Sequence, residues 1–118
     1  VNYTPDFSIG FVVEGSKTEA FLEEALTKLG LNDRERNEFI IYWLPHMQDN
    51  AYNLISFQNE NYTNHATLDI SPKPDTVIRV MMAWKPLKES ITIQPQKLDS
   101  VERNGFTVVE WGGTEYKS

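Results

Sequence analysis

The chain holds two imidazoles, His46 and His65, and neither has a second histidine four residues away, the spacing that would set two ligands on one helical face. His46 stands beside Pro45 in an apolar stretch and His65 lies in the polar run NENYTNHA. A general base also needs a nucleophile beside it and a group to orient it, and no local arrangement of Ser, His and Asp supplies these. Glycine loops that cradle phosphate, the GxSxG elbow and HExxH are all missing. Asp69 and Asp75 flank a segment with Pro72 and Pro74, but calcium loops place several oxygen ligands at alternate positions, so turn and capping roles suit them better. Arg79 and Glu110, on two predicted strands, read as a structural ion pair. The residues thus name no catalytic group, metal site or cofactor.

Aromatic residues are the other resource. Tyr52 and Phe57 precede the Asn-rich loop 59–66 and Tyr62 lies in it, and aromatic faces combined with amides suit a sugar or peptide. With His65 they form the candidate ligand-binding set. Trp43, Trp84 and Trp111 read as core or half-buried side chains.

Several elements must position these groups. Residues 9–13 (IGFVV) have strand character, and Ser16-Lys17-Thr18-Glu19 matches a capping box that predicts a helix from Lys17. Leu22, Ala25, Leu26 and Leu29 recur at helical spacing, and Gly30 sits where a left-handed cap belongs. Asn32 and Glu35 form a second box, so the two helices should turn sharply as a hairpin. In the second helix Phe39, Ile40, Trp43, Leu44 and Met47 form a wide stripe, and Ile41 and Tyr42 extend it almost all round, which predicts cover from more than one neighbour. Pro45 should kink this helix without ending it, leaving it to run to about Asp49.

Beyond Asn50 the pattern becomes extended. Strands are predicted over 52–58, 76–85 (ended by Pro86), 90–93 at an edge, and 106–111 (ended by Gly112-Gly113). Residues 1–8 and 114–118 read as loose ends of a single domain spanning 1–118. Helices first and strands afterwards predict an α+β fold, with an N-terminal helical hairpin on one face of a three- to four-stranded, mainly antiparallel sheet.

A net charge of −6 with scattered Lys and Arg excludes a phosphate-binding surface, and so nucleic acid. The absence of cysteine removes disulfides and thiol chemistry. No apolar run approaches a membrane span of about 20 residues.

Four phrases, NEFIIYWLP (37–45), YNLISFQ (52–58), SPKPDTVIRVMMAWKPL (71–87) and GFTVVEWGGTE (105–115), resemble the C-terminal region of an uncharacterised family of bacterial proteins common in Gram-positive anaerobes. The resemblance implies that the chain is a C-terminal piece of an exported parent with a β-rich region upstream, and it carries over no catalytic residue. The combined expectation is a non-catalytic binding or interaction module of a bacterial surface or secreted protein, with glycan or protein as partner. Two other readings stay open. One is a cell-envelope hydrolase that pairs His46 or His65 with a distant carboxylate, and the other is a structural domain that packs on the upstream region.

Overall fold

The computed structural model describes residues 7–58 and 72–117. The chain enters through strand β1 (Ile9–Glu14), makes one 3-10 turn (Gly15–Lys17), and continues into helices α1 (Thr18–Lys28) and α2 (Asp33–Met47). Strands β2 (Tyr52–Phe57), β3 (Thr76–Leu87), β4 (Gln94–Pro95) and β5 (Thr107–Glu115) follow. The α+β class holds, but the helices come after a strand instead of opening the fold. Among the described residues the sheet has five strands in the order β4-β1-β2-β3-β5 and is mixed. β1–β2 and β2–β3 are antiparallel, while both flanking strands pair in parallel, β4 with β1 and β5 with β3.

Local chemistry explains the connection between the helices. Gly30 takes a φ of +100°, its N–H donates to the Thr27 carbonyl (3.1 Å), and the Leu31 N–H donates to that of Leu26 (3.1 Å), so two carbonyls at the end of α1 are satisfied. Asn32 Oδ1 then accepts from the Glu35 N–H (2.9 Å) while Glu35 Oε1 accepts from the Asn32 N–H (2.8 Å), the reciprocal box that starts α2. The box expected at Ser16 does not form. Thr18 instead turns its hydroxyl back to the Glu14 carbonyl (3.1 Å), and the chain between them closes as the 3-10 turn. Gly15 is required in that turn, because a Cβ there would lie 1.9 Å from the Asn50 carbonyl oxygen.

The core lies between the helix pair and one face of the sheet. Leu22 and Leu26 of α1 and Phe39, Trp43 and Met47 of α2 meet Ile55, Phe57, Ile78, Val80, Met82 and Trp84. Alternation along β3 sends Ile78, Val80, Met82 and Trp84 to this face. Burying a large apolar side chain contributes roughly 1.5 to 3 kcal/mol, so this layer dominates stability. Asn53, fully buried, ties the layers together by donating to Thr18 Oγ1 (3.0 Å) and the Met47 carbonyl (2.9 Å) and accepting from Asn50 Nδ2 (2.9 Å).

Three predicted boundaries move for identifiable reasons. Pro86 does not end β3, which runs on to Leu87. The Gln58 N–H donates to the Met81 carbonyl and the Tyr116 N–H to the Trp84 carbonyl, so even-numbered residues of β3 turn their backbone groups toward β5. The missing N–H of Pro86 therefore faces the side on which β5 has already stopped opposite Trp84. Gly112 and Gly113 do not end β5, because a Cβ at Gly113 would lie 2.8 Å from the Trp43 ring, and glycine lets the strand pass beneath it. The strand expected at 90–93 is displaced to Gln94–Pro95, where Gln96 continues the edge. Its N–H donates to the Gly10 carbonyl, and its side-chain amide both accepts from the Phe57 N–H (2.9 Å) and donates to the Phe57 carbonyl (2.7 Å).

Candidate functional site

The expected ligand-binding set does not assemble on the described residues. Tyr52 and Phe57 lie at opposite ends of β2, five residues apart, and an odd separation along a strand sends their side chains to opposite faces of the sheet. Phe57 is a core residue at 4% exposure, because its face of β2 is the one under the helices. It therefore offers no ring to a ligand. Tyr52 is half-buried at the end of the β1–β2–β3 ladder, opposite Glu14 and Leu87. Tyr62 and His65, with the Asn-rich loop, lie outside the described residues, as does Asp69.

Asp75 has a turn role. Its carboxylate accepts from the Phe106 N–H (2.8 Å) and its own N–H donates to the Phe106 carbonyl (2.8 Å). Arg79 and Glu110 are directly opposed on β3 and β5, with Nε and Oε2 3.5 Å apart and both side chains largely shielded, which fits the structural ion pair read from the sequence. His46 is exposed on α2, and its ring forms no ion pair with a carboxylate among the described residues. Nor do the described residues bring three His, Cys, Asp or Glu side chains together as a metal site.

A different group of aromatic residues does come together. Ile41 and Tyr42, expected to be covered on all sides, are 74% and 58% exposed. The stripe of Phe39, Ile40, Trp43 and Met47 already satisfies the contacts with α1 and the sheet, and residues 41, 42 and 45 fall on the far side of the helix. Tyr42 is nevertheless not isolated. Its ring lies 4.9 Å from Trp43, 6.3 Å from His46 and 6.2 Å from Trp111 of β5. Trp111 leans on Phe39 (5.0 Å), and Trp43 stands edge-on to the buried Trp84 (6.3 Å). Rings at such distances and tilts attract one another beyond their area burial, by about 0.5 to 1.5 kcal/mol per pair. The surface rings are thereby fixed to the core and held in one geometry.

This face has a charged border. Glu38, one turn before Tyr42, and Asp49, one turn after Pro45, are both exposed, and Arg34 pairs with Glu38 at 3.2 Å. The off-stripe positions of Ile41 and Tyr42 were the sequence signal for this face. The contribution of Trp111 depends on strand pairing, which no local pattern encodes.

A second feature lies at the opposite end of the sheet, a cleft of about 450 Å³ beside β1, lined by Phe11, Val13 and Phe21 and walled by the unpaired segment 90–93. None of its lining residues carries a charge or a titratable group. Comparisons of the chain with protein-family models, with curated proteins and with solved structures gave no match.

Proposed function

We propose that this domain is a non-catalytic interaction module of an exported bacterial protein, and that the α2–β5 face around Ile41, Tyr42 and Trp111 is where it meets a protein partner. The observation that carries the reading is the exposure of Ile41 and Tyr42 on a helix whose remaining apolar residues are packed. Isolated exposed apolar side chains are ordinary, whereas a contiguous set ringed by polar groups marks a contact surface. The aromatic members are the type enriched at interface centres, and Ile41 and Pro45 favour an apolar anchor over a sugar, which needs hydrogen-bonding groups around its stacking ring. The Arg34–Glu38 pair and Asp49 add a polar rim, so the matching partner presents an apolar centre with a polar surround. The exported setting rests on the resemblance of the four phrases quoted above.

Photo-crosslinking tests this. With a photoreactive phenylalanine analogue at position 42, expressed in the producing cells, a discrete protein adduct is expected, and Ile41→Glu should abolish it while leaving the fold intact. Absence of any protein adduct, together with binding of the purified chain on a glycan array, would replace the protein partner with a glycan.

A further inference from the structure

β1 is paired from Phe11 to Glu14 with β2 on one side and only at Ile9 and Gly10 with β4 on the other. Backbone groups of alternate residues in a strand point to alternate edges. The Gly15 N–H donates to the Ala51 carbonyl (3.2 Å), which places odd-numbered residues of β1 in hydrogen-bonded register with β2. The Gly10 carbonyl accepts from the Gln96 N–H (3.2 Å), so even-numbered residues face the other way. The β4 ladder covers Ile9 and Gly10 and then stops. The next even residue is Val12. Its N–H and its carbonyl point to the open edge, and neither has a partner among the described residues. The Glu14 N–H continues the same row, while the Glu14 carbonyl is taken by the Thr18 hydroxyl.

The outward groups of Val12 border the 450 Å³ cleft. Phe11 and Phe21, whose rings pack 5.0 Å apart, and Val13 give it an apolar wall, and Ile91, 47% exposed, stands on its rim. The segment 90–93 forms the far wall without joining the ladder. It is tethered just beyond, where Gln96 grips both backbone groups of Phe57. The cleft therefore combines three features: the outward N–H and carbonyl of Val12, apolar side chains beside them, and a lining without charge. A compact apolar molecule would leave the Val12 groups unmet, and an anion would find no cation. An extended peptide satisfies all three, since its own carbonyl and N–H groups can meet the Val12 pair and its alternate side chains fill the apolar wall.

We infer that the open edge of β1 at Val12 is a strand-addition site that takes an extended, uncharged segment of a partner protein with an apolar side chain at every second residue. The site lies at the far end of the strand order from Trp111 and does not depend on the aromatic face.

The test titrates the ¹⁵N-labelled chain with a neutral, capped hexapeptide alternating threonine and valine. A second peptide of the same sequence is N-methylated on alternate residues, so that it keeps the side chains but loses the bonding edge. The unmodified peptide is expected to shift the amides of Val12, Glu14 and residues 90–93, and to slow hydrogen exchange of the Val12 N–H. The methylated peptide should bind about tenfold more weakly or worse, the equivalent of one charge-free hydrogen bond or more. Val12→Pro removes the outward N–H without touching the β2 ladder and should abolish binding. Equal binding of the two peptides would reduce the cleft to a nonspecific apolar contact. No amide shift at millimolar peptide, or shifts confined to the α2–β5 face, would overturn the inference, as would self-association of the free chain through β1.

Discussion

Asn53 is the side chain whose removal should reveal most about how this domain is held together. It is fully buried, and its amide spans three segments: the start of α1 at Thr18, the end of α2 at Met47, and the turn residue Asn50. Asn53→Ala deletes three hydrogen bonds, each contributing about 1 kcal/mol net, and strands the Met47 carbonyl at a further cost of about 1 to 3 kcal/mol. The expected loss is roughly 4 to 6 kcal/mol, a large share of the 5 to 15 kcal/mol typical of a domain. Asn53→Asp is the sharper probe, because it keeps the shape and exchanges the donor for an acceptor that faces the Met47 carbonyl. Burial raises the pKa of such a carboxyl above its unfolded value, so its folded form is favoured while protonated. The stability of this variant should then be greatest below about pH 4 and fall as pH rises toward neutrality. Urea unfolding followed by tryptophan fluorescence, which senses the buried Trp84, measures both variants at pH 4 and pH 7. A loss below about 1 kcal/mol in Asn53→Ala with an unchanged m-value, or an equal deficit of Asn53→Asp at both pH values, would refute the reasoning.

Two further substitutions address the helix corner and the internal proline. Burial works to raise the pKa of Glu35, but the hydrogen bond from Arg103, the N–H of Asn32 and the charges of Arg103 and Arg34 outweigh it and hold the carboxyl below its usual value. Its stabilising contribution is therefore present above the unfolded carboxylate range and is lost as pH falls through the lower, folded value. Glu35→Gln keeps the capping geometry, should cost about 1 kcal/mol at pH 7, and should flatten the acid limb of stability measured by chemical denaturation. Pro45→Ala restores an N–H opposite the Ile41 carbonyl in a helix that already continues through the Gln48 N–H to the Leu44 carbonyl. After the loss of the proline's restraint on the unfolded chain, a net gain of about 1 to 2 kcal/mol is expected by thermal melting, and a loss would show that proline is needed there.

The helix corner was legible in the sequence because its determinants are local. Gly30, Asn32 and Glu35 act within a few residues of themselves, and so does the alternation along β3 that buries Ile78 to Trp84. The Ser16 box failed although the sequence pattern was present, because Gly15 packs against the Asn50 carbonyl and pulls the chain into a tighter turn. The mixed sheet was not legible at all. Segment 96–104 carries the chain from one edge to the other, held by the Val101 N–H on the Lys28 carbonyl and by Arg103 on the Gly30 carbonyl and Glu35. Contacts of that sequence separation leave no periodic trace. The candidate site divided in the same way. Aromatic residues were the right chemical class, but the parity of β2 separates Tyr52 from Phe57, and the face that does form joins Tyr42 to Trp111 across about seventy positions.

That separation bears on when the aromatic face comes into being during synthesis. The helices and the antiparallel strands β1, β2 and β3 are all encoded before residue 88, and their pairings need nothing that follows. Trp111 arrives on β5, which is made after the other four described strands, and it reaches Tyr42 only after β5 has aligned beside β3 in parallel. Parallel pairing after a long connection forms slowly compared with a hairpin. A nascent or truncated chain can thus hold its helices without presenting a finished recognition surface. A partner that reads Tyr42 and Trp111 together would engage completed domains and pass over unfinished ones.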